Sequence, residues 1–383
     1  MKPFLDHLRD CRSLRVRATP VSMSIFDAVG LELAEPVHAS APYPAFVASA
    51  MDGYAVRVAD LPGRLRVVGD VPAGSVPDVG VEPGTAVRIM TGSLVPVGAE
   101  AVVPVEEVSV DGDHVEVGVT TTVGRHIRGI GDDVAPGDLV LSAGEIVRTA
   151  QLAALVAHNA ATVTVRPRPR VAVLSTGDEL VPHGTQPGPA QLVDSNGPGL
   201  QAAAEAAGAE VVHRSHVSDD PGAFRDAIAG LPDVELIVTS GGVSMGAYDV
   251  VKAELADRGI RFENVAMQPG RPQGWGRLDG EVPMLGLPGN PVSALLSFEL
   301  FGRAALGRER PVATALLADP IPRSPKGKLQ LVRGRLRDGE VSLAGGHESH
   351  LVVGLARADC LVMVDEQVES LPAGATVRVI SLI

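Results

Sequence analysis

From residue 170 onward, apolar and polar positions come in alternating blocks. The run at 171–174 (Val-Ala-Val-Leu) reads as a buried strand that ends in a turn. The Ala-rich stretch 197–207 reads as a helix that stops at Gly208. A strand at 210–213, a helix at 221–229, a strand at 234–239, a helix at 247–258 and a strand at 260–266 follow. Asn290 and Pro291 supply an N-cap and a first-turn proline for a last helix running to Leu306. Such alternation predicts a mostly parallel sheet with helices on both faces.

The flanking regions are patterned otherwise. Between 46 and 124, short apolar runs (65–68, 85–90, 101–105, 114–117) sit between Gly, Pro and Asp turns, which predicts a small β domain. From 312 to 383 the same kind of pattern predicts a C-terminal β domain. Residues 1–45 and 125–165 are mixed. Ser24–Gly30 has a Ser cap, an acid three residues later and a glycine stop, and so reads as a helix, as does 149–157; 162–165 reads as a strand. Arg166-Pro167-Arg168-Pro169-Arg170 is a stiff connector and a boundary. No tandem repeat of fixed period is present.

Composition narrows the class. A chain of 383 residues exceeds one compact core and implies several domains. Aromatic residues are 3% of the chain against 45% hydrophobic, so Val, Leu, Ala and Ile must build the core, as in buried parallel strands. A net charge of −13 without a dense basic run argues against nucleic acid as a partner. Two distant cysteines, Cys11 and Cys360, form neither a disulfide framework nor a zinc pattern. The N-terminus lacks a signal-peptide core and no apolar run reaches membrane-spanning length, so a cytoplasmic protein without a membrane partner is expected.

Chemistry concentrates in the α/β region. After the strand at 234–239 comes Ser240-Gly241-Gly242-Val243-Ser244, then a helix start carrying Asp249 and Lys252. A glycine turn at a strand end, with hydroxyls and a carboxylate, is where open α/β sheets bind phosphorylated ligands. Thr176-Gly177-Asp178-Glu179 closes the first strand and can face a ligand or hold a cation; an ordinary solvated turn explains it equally. Asp194-Ser195-Asn196 precedes the Ala-rich helix and reads as an anion site or a routine N-cap. Arg271 is a fixed cation in a Pro/Gly-rigid loop, suited to an oxyanion or simply a surface arginine. Outside this region, Asp52, Thr91 and Asp133 each sit in turns that have a structural explanation too. Carboxylates and cations around a phosphate cradle suit Mg²⁺-assisted phosphoryl or nucleotidyl chemistry. No Ser/His/Asp or Cys/His arrangement stands out.

The ordered motifs SAMDGYA (49–55), RIMTGS (88–93), HIRGIGDD (126–133), LSTGDEL (174–180), DSN (194–196), TSGGVSMGAYDVVK (239–252), QPGRP (268–272), LPGNPVSA (287–294) and GGHESH (345–350) resemble the MoeA family of molybdopterin molybdenumtransferases, which includes the gephyrin E-domain. The resemblance spans nearly the whole chain. It implies four domains: an elongated mixed dimerisation domain (1–45 and 125–165), an inserted β domain (46–124), a molybdopterin-binding α/β domain (166–311) and a C-terminal β domain (312–383). It implies a cytoplasmic homodimer whose sites are each completed by the partner's β domain. The implied reaction takes adenylylated molybdopterin and molybdate, hydrolyses the adenylyl group with help from Mg²⁺, releases AMP and leaves molybdenum in the dithiolene. The molybdopterin adenylyltransferase and recipient molybdoenzymes would be further partners.

Carried over by motif, Asp52, Asp133, Glu179, Asp249 and Lys252 are the implied catalytic residues, with Glu179 and Asp249 at the metal. Thr91, Thr176, Gly177, Asp194, Ser240, Gly241, Gly242, Ser244 and Arg271 are implied to bind substrate, as are Pro288, Asn290, Ser293, Arg333 and Ser349. The chain departs from the family where two lysines are usual and Gln268 and Arg271 stand instead. The alternatives are a diverged paralogue that binds molybdopterin or a nucleotide, an adenylyltransferase, or a non-catalytic scaffold.

Overall fold

A computed structural model describes residues 1–243, 250–346 and 348–383. The chain forms two compact units, Pro20–Arg166 and a second that joins Met1–Thr19 to Pro167–Ile383. The boundary falls in the Arg/Pro connector, where alternate prolines keep the backbone extended.

In the larger unit, helix α1 (Phe4–Ser13) precedes a six-stranded sheet. Its elements are β1 (Arg170–Thr176), α2 (Asn196–Ala206), β2 (Glu210–Val217), α3 (Pro221–Ala229), β3 (Leu236–Ser240), α4 (Val250–Leu255), β4 (Ile260–Asn264), β5 (Pro272–Leu278), β6 (Val282–Leu287) and α5 (Pro291–Ser297). The order is β2-β1-β3-β6-β5-β4. The four strands β2, β1, β3 and β6 pair in parallel, and β5 and β4 are added antiparallel. The parallel strands are apolar on both faces because both are covered. Val171 and Val173 face one core with Leu200, Leu236, Val292 and Leu296, whereas Ala172 and Leu174 face another with Phe224, Ile237, Val251 and Leu255.

The C-terminal part is a closed ring of β7 (Val312–Leu317), β8 (Leu329–Arg337), β9 (Glu340–Leu343), β10 (Cys360–Val364) and β11 (Thr376–Ser381), with β8 pairing both β9 and β10. A short strand, Met267–Gln268, adds in parallel to β8 at Leu329–Gln330.

The first nineteen residues group with this unit rather than with 125–165, which corrects the sequence expectation for 1–45 at its N-terminal end. The cause is burial. Phe4, His7 and Cys11 lie on one face of α1, and His7 meets Phe301 edge-on with ring centroids 4.5 Å apart. The Lys2 ammonium pairs with Asp10 and Glu263 and lies 4.7 Å from the Trp275 ring.

In the smaller unit, one sheet joins Val21–Ser24, Thr162–Arg166 and Glu32–Leu33. A second, six-stranded sheet joins Ala101–Pro104, Gly53–Val56, Thr85–Ile89, Gly63–Val71, His114–Val117 and Val108–Asp111 in that order. The helix expected over Ser24–Gly30 is absent: Ser24 ends a strand and residues 25–30 form turns. The Ser24 hydroxyl does accept from Phe26, as a cap would. The next residues are claimed by pairing, however: Gly30 N–H donates to Val147 and Val147 N–H to Leu31, so too few residues remain to pass helix nucleation.

Candidate active site

The parallel strands β1, β3 and β6 end side by side, with Ser175 opposite Ser240 and Ser240 opposite Leu287. The loops that leave these ends enclose a cleft of about 1330 Å³. Thr176, Gly177 and Glu179 line it from β1, Gly241 and Gly242 from β3, and Pro288, Asn290 and Ser293 from β6 and α5. Arg271 and Gln268 line it from the loop before β5, and Glu348, Ser349 and His350 from the C-terminal part. Sequence motifs more than a hundred residues apart therefore meet at the carboxyl ends of the strands, where open α/β sheets bind ligands.

Two glycines are dictated by close approach. Gly241 has φ +93°, and a Cβ there would lie 2.5 Å from the Thr176 carbonyl oxygen. Gly242 has φ +65°, and its Cβ would lie 2.5 Å from a Val251 methyl. The Gly241 N–H is spent on Leu287 O at 3.1 Å, so its part in the cradle is shape rather than donation.

Beneath the cleft floor runs a hydrogen-bond network. The Ser175 hydroxyl donates to Asp194 Oδ2 at 2.6 Å, and Asp194 Oδ1 accepts the backbone N–H groups of Asn196 and Gly197, both at 3.0 Å. Asp194 thus lines the cleft while its oxygens cap α2. Asn196 is 5% exposed and donates from Nδ2 to Ser240 Oγ at 2.7 Å and to Gly289 O at 2.6 Å. Ser240 in turn donates to Pro288 O at 3.2 Å. The Ser240 hydroxyl, expected at a ligand, is instead 1% exposed and committed to this network. The Asn196 Oδ1 atom is buried without a partner, which costs about 1–3 kcal/mol. Asn196 was not among the expected site residues, since a DSN run before a helix is indistinguishable from an ordinary cap.

Arg333 also departs from expectation. It is 3% exposed in β8, and its guanidinium donates to the carbonyls of Leu351 (2.8 Å), Glu348 (3.3 Å) and Gly346. It holds the loop that carries Ser349 and is not itself among the lining residues. Ser349 O accepts from Val292 N–H at 3.1 Å, which ties that loop to the start of α5. Lys252 is half-buried in α4, and its N–H donates to Gly242 O at 3.1 Å. Ser244 and Asp249 lie outside the described residues.

The three remaining candidates belong to the smaller unit. The backbone N–H and the hydroxyl of Thr91 both donate to Asp52 Oδ1 at 2.7 Å. These two bonds, the backbone one foremost, hold the exposed Asp52 carboxyl below the usual carboxylate range. Asp133 is exposed, with its N–H on Tyr43 O at 3.0 Å.

The charge around the cleft is lopsided. Among the described lining residues, Glu179, Asp194, Asp219 and Glu348 face a single cation, Arg271. A polyanionic ligand therefore enters this wall favourably only in company with cations. No group of three or more metal-ligating side chains occurs among the described residues.

Family models match three successive stretches of the chain. Residues 4–158 match the MoeA N-terminal region (domain I and II), 172–308 a probable molybdopterin binding domain, and 314–382 the MoeA C-terminal region (domain IV). The chain belongs to the MoeA family. Among its relatives, molybdopterin molybdenumtransferase 2 of Mycobacterium tuberculosis is 42% identical over 99% of both chains. Molybdopterin molybdenumtransferase 1 of the same organism is 36% identical over 95% of both. The crystal structure of a molybdopterin biosynthesis MoeA protein from Pyrococcus horikoshii superposes with a TM-score of 0.84 at 29% identity, covering 99% of this chain and 98% of that one. As a MoeA-family chain with molybdopterin molybdenumtransferases as relatives over its whole length, it is an enzyme of molybdenum cofactor biosynthesis. No helix among the described residues is long and apolar enough to cross a membrane.

Proposed function

We propose that this enzyme takes adenylylated molybdopterin and molybdate, hydrolyses the adenylyl phosphoanhydride, releases AMP and leaves molybdenum in the dithiolene. The observation that carries this reading is the cleft itself: a large polar space at the strand ends, assembled from six of the family's motifs, with close-approach glycines in its turn. Water adds to the adenylyl phosphorus, and the bond to the bridging oxygen breaks. AMP leaves with its phosphate, and the pterin retains its own.

Arg271 fits an oxyanion on one wall, and Ser349 and Asn290 offer hydrogen bonds beside it. Mg²⁺ fits the donor chemistry, because an acidic wall meeting a phosphoanhydride leaves hard oxygen ligands from both sides. Glu179 would hold it, with Asp249 proposed as a second ligand; the ion would neutralise charge on the phosphoanhydride. Lys252 and Ser244 are proposed on the same grounds of motif. In a cytoplasmic homodimer, Asp52, oriented by Thr91, and Asp133 would be supplied to the cleft of the partner subunit.

The test is AMP release from adenylylated molybdopterin with Mg²⁺, with and without molybdate, followed by activation of a cofactor-free molybdoenzyme by the product. Molybdate-dependent release with activation supports the reading. Binding without molybdate-dependent release refutes it and points to a diverged paralogue.

A further inference from the structure

We propose that Asn196 is a positioning residue: its carboxamide sets the gap between the Gly241–Gly242 turn and the Pro288–Asn290 loop, and so the shape in which the cleft holds its ligand. This rests on the cleft being the substrate site. The two loops oppose each other through glycines. A Cβ at Gly289 would lie 3.5 Å from the Gly241 Cα, so the two loops come close there with no side chain between these two residues. A spacer comes from elsewhere in the chain, the first residue of α2. One Nδ2 hydrogen goes to Ser240 Oγ on the β3 side and the other to Gly289 O on the β6 side. Ser240 donates its own hydroxyl hydrogen bond to Pro288 O, so both threads end on the same loop.

Chemistry narrows the residue that can do this. Two hydrogens from one atom toward two acceptors exclude serine and threonine, which donate once. Lysine and arginine would bring a buried charge. Glutamine is a methylene longer and would push the loops apart. Asp194 serves the network from the other end, since it accepts the Asn196 N–H and fixes the turn from which the carboxamide projects.

Two readouts on the full-length enzyme test this. The first is amide hydrogen exchange of peptides covering 240–242 and 287–290, which needs no substrate. In Asn196→Ala, exchange there rises about tenfold or more while the rest of the α/β sheet keeps its protection. The second is steady-state AMP release. kcat falls about tenfold or more while KM changes less than about threefold, because Arg271 and the backbone groups still bind but no longer in register with the reacting atoms. Asn196→Ser, with one donor, restores part of the kcat, and Ser240→Ala adds little in the Asn196→Ala background. Unchanged exchange in both segments overturns the proposal, as does a loss confined to thermal stability with kcat and KM intact. If the wild-type enzyme releases no AMP, the proposed reaction falls but the exchange data still decide the positioning role. If Asn196→Ala does not fold, Asn196→Ser carries both measurements.

Discussion

Gly241→Ala tests whether the turn after β3 needs glycine for its conformation alone or for the approach of a second strand end. At φ +93° an alanine bears a left-handed penalty of about 1–2 kcal/mol. Its Cβ would also lie 2.5 Å from the carbonyl oxygen of Thr176, a backbone atom at the end of β1 that cannot swing away as a side-chain tip would. Relieving such a contact by backbone shift costs about 1–3 kcal/mol more. The expected total is roughly 2–5 kcal/mol, or a fall in melting temperature of about 5–20 °C for a unit of this size. Gly280→Ala is the matched control: it lies in the same unit with φ +83°, and its Cβ would meet nothing within 4 Å. Only the conformational part, about 1–2 kcal/mol, is expected there. Thermal unfolding followed by circular dichroism compares the two. Equal shifts would refute the close-approach argument and leave Gly241 an ordinary turn residue.

Three further outcomes are expected. Burial foremost, then repulsion from Lys2, lowers the His7 pKa to about 4 against the attraction of Glu263 and Asp10. The unfolded chain takes up a proton near pH 6.5 that the fold refuses, so about 3 kcal/mol of stability is lost as pH falls from 6.5 through 4; urea unfolding of His7→Leu should show a flatter slope over that window, and an unchanged slope would sink the assignment. Gln268→Lys should lower the molybdate concentration that half-saturates AMP release, since it adds a cation to a lining with four carboxylates and one arginine; a raised or unchanged requirement counts against an oxyanion at that wall. Asp52→Asn should cut AMP release about a hundredfold or more with at most a small fall in melting temperature, because the exposed amide keeps an oxygen that can accept from Thr91; full activity would remove Asp52 from the site.

The blocks of apolar residues announced β1, β3 and the helices between them because parallel strands covered on both faces have little choice of composition. The motifs ending those strands marked the cleft because close approach requires glycine: a Cβ at 241 would meet the Thr176 carbonyl, and one at 177 or 242 the side chain of Glu179 or Val251. What the sequence hid was set by tertiary context. Ser24–Gly30 carries real helix signals, but its neighbours are recruited by the strand-like stretch at 145–147. The first nineteen residues look like the start of whatever follows them, yet the apolar face of α1 finds its partner near Phe301. Asn196 and Arg333 show opposite failures. The first passed for a cap and proved to be a hub; the second passed for a ligand and proved to be a brace. In both, the residue type was legible but its partners were not, because all but the Ser240 hydroxyl are backbone carbonyls, which no sequence pattern marks.

The parallel bridge between Met267–Gln268 and β8 bears on how this chain can be divided. The strand that positions the loop of Arg271 is completed by hydrogen bonds from a ring beginning some forty residues later. A protein ended at the apparent boundary near 311 would therefore lose more than its last ring of strands. It would leave the Gln268–Arg271 wall without its outer rail and uncover Met267, which shares a core with Leu329 and Met363 of the ring. For this chain the C-terminal ring is better regarded as the second half of the α/β unit's scaffold than as an attachment, and insertions or fusions are better tolerated at the 166–170 connector.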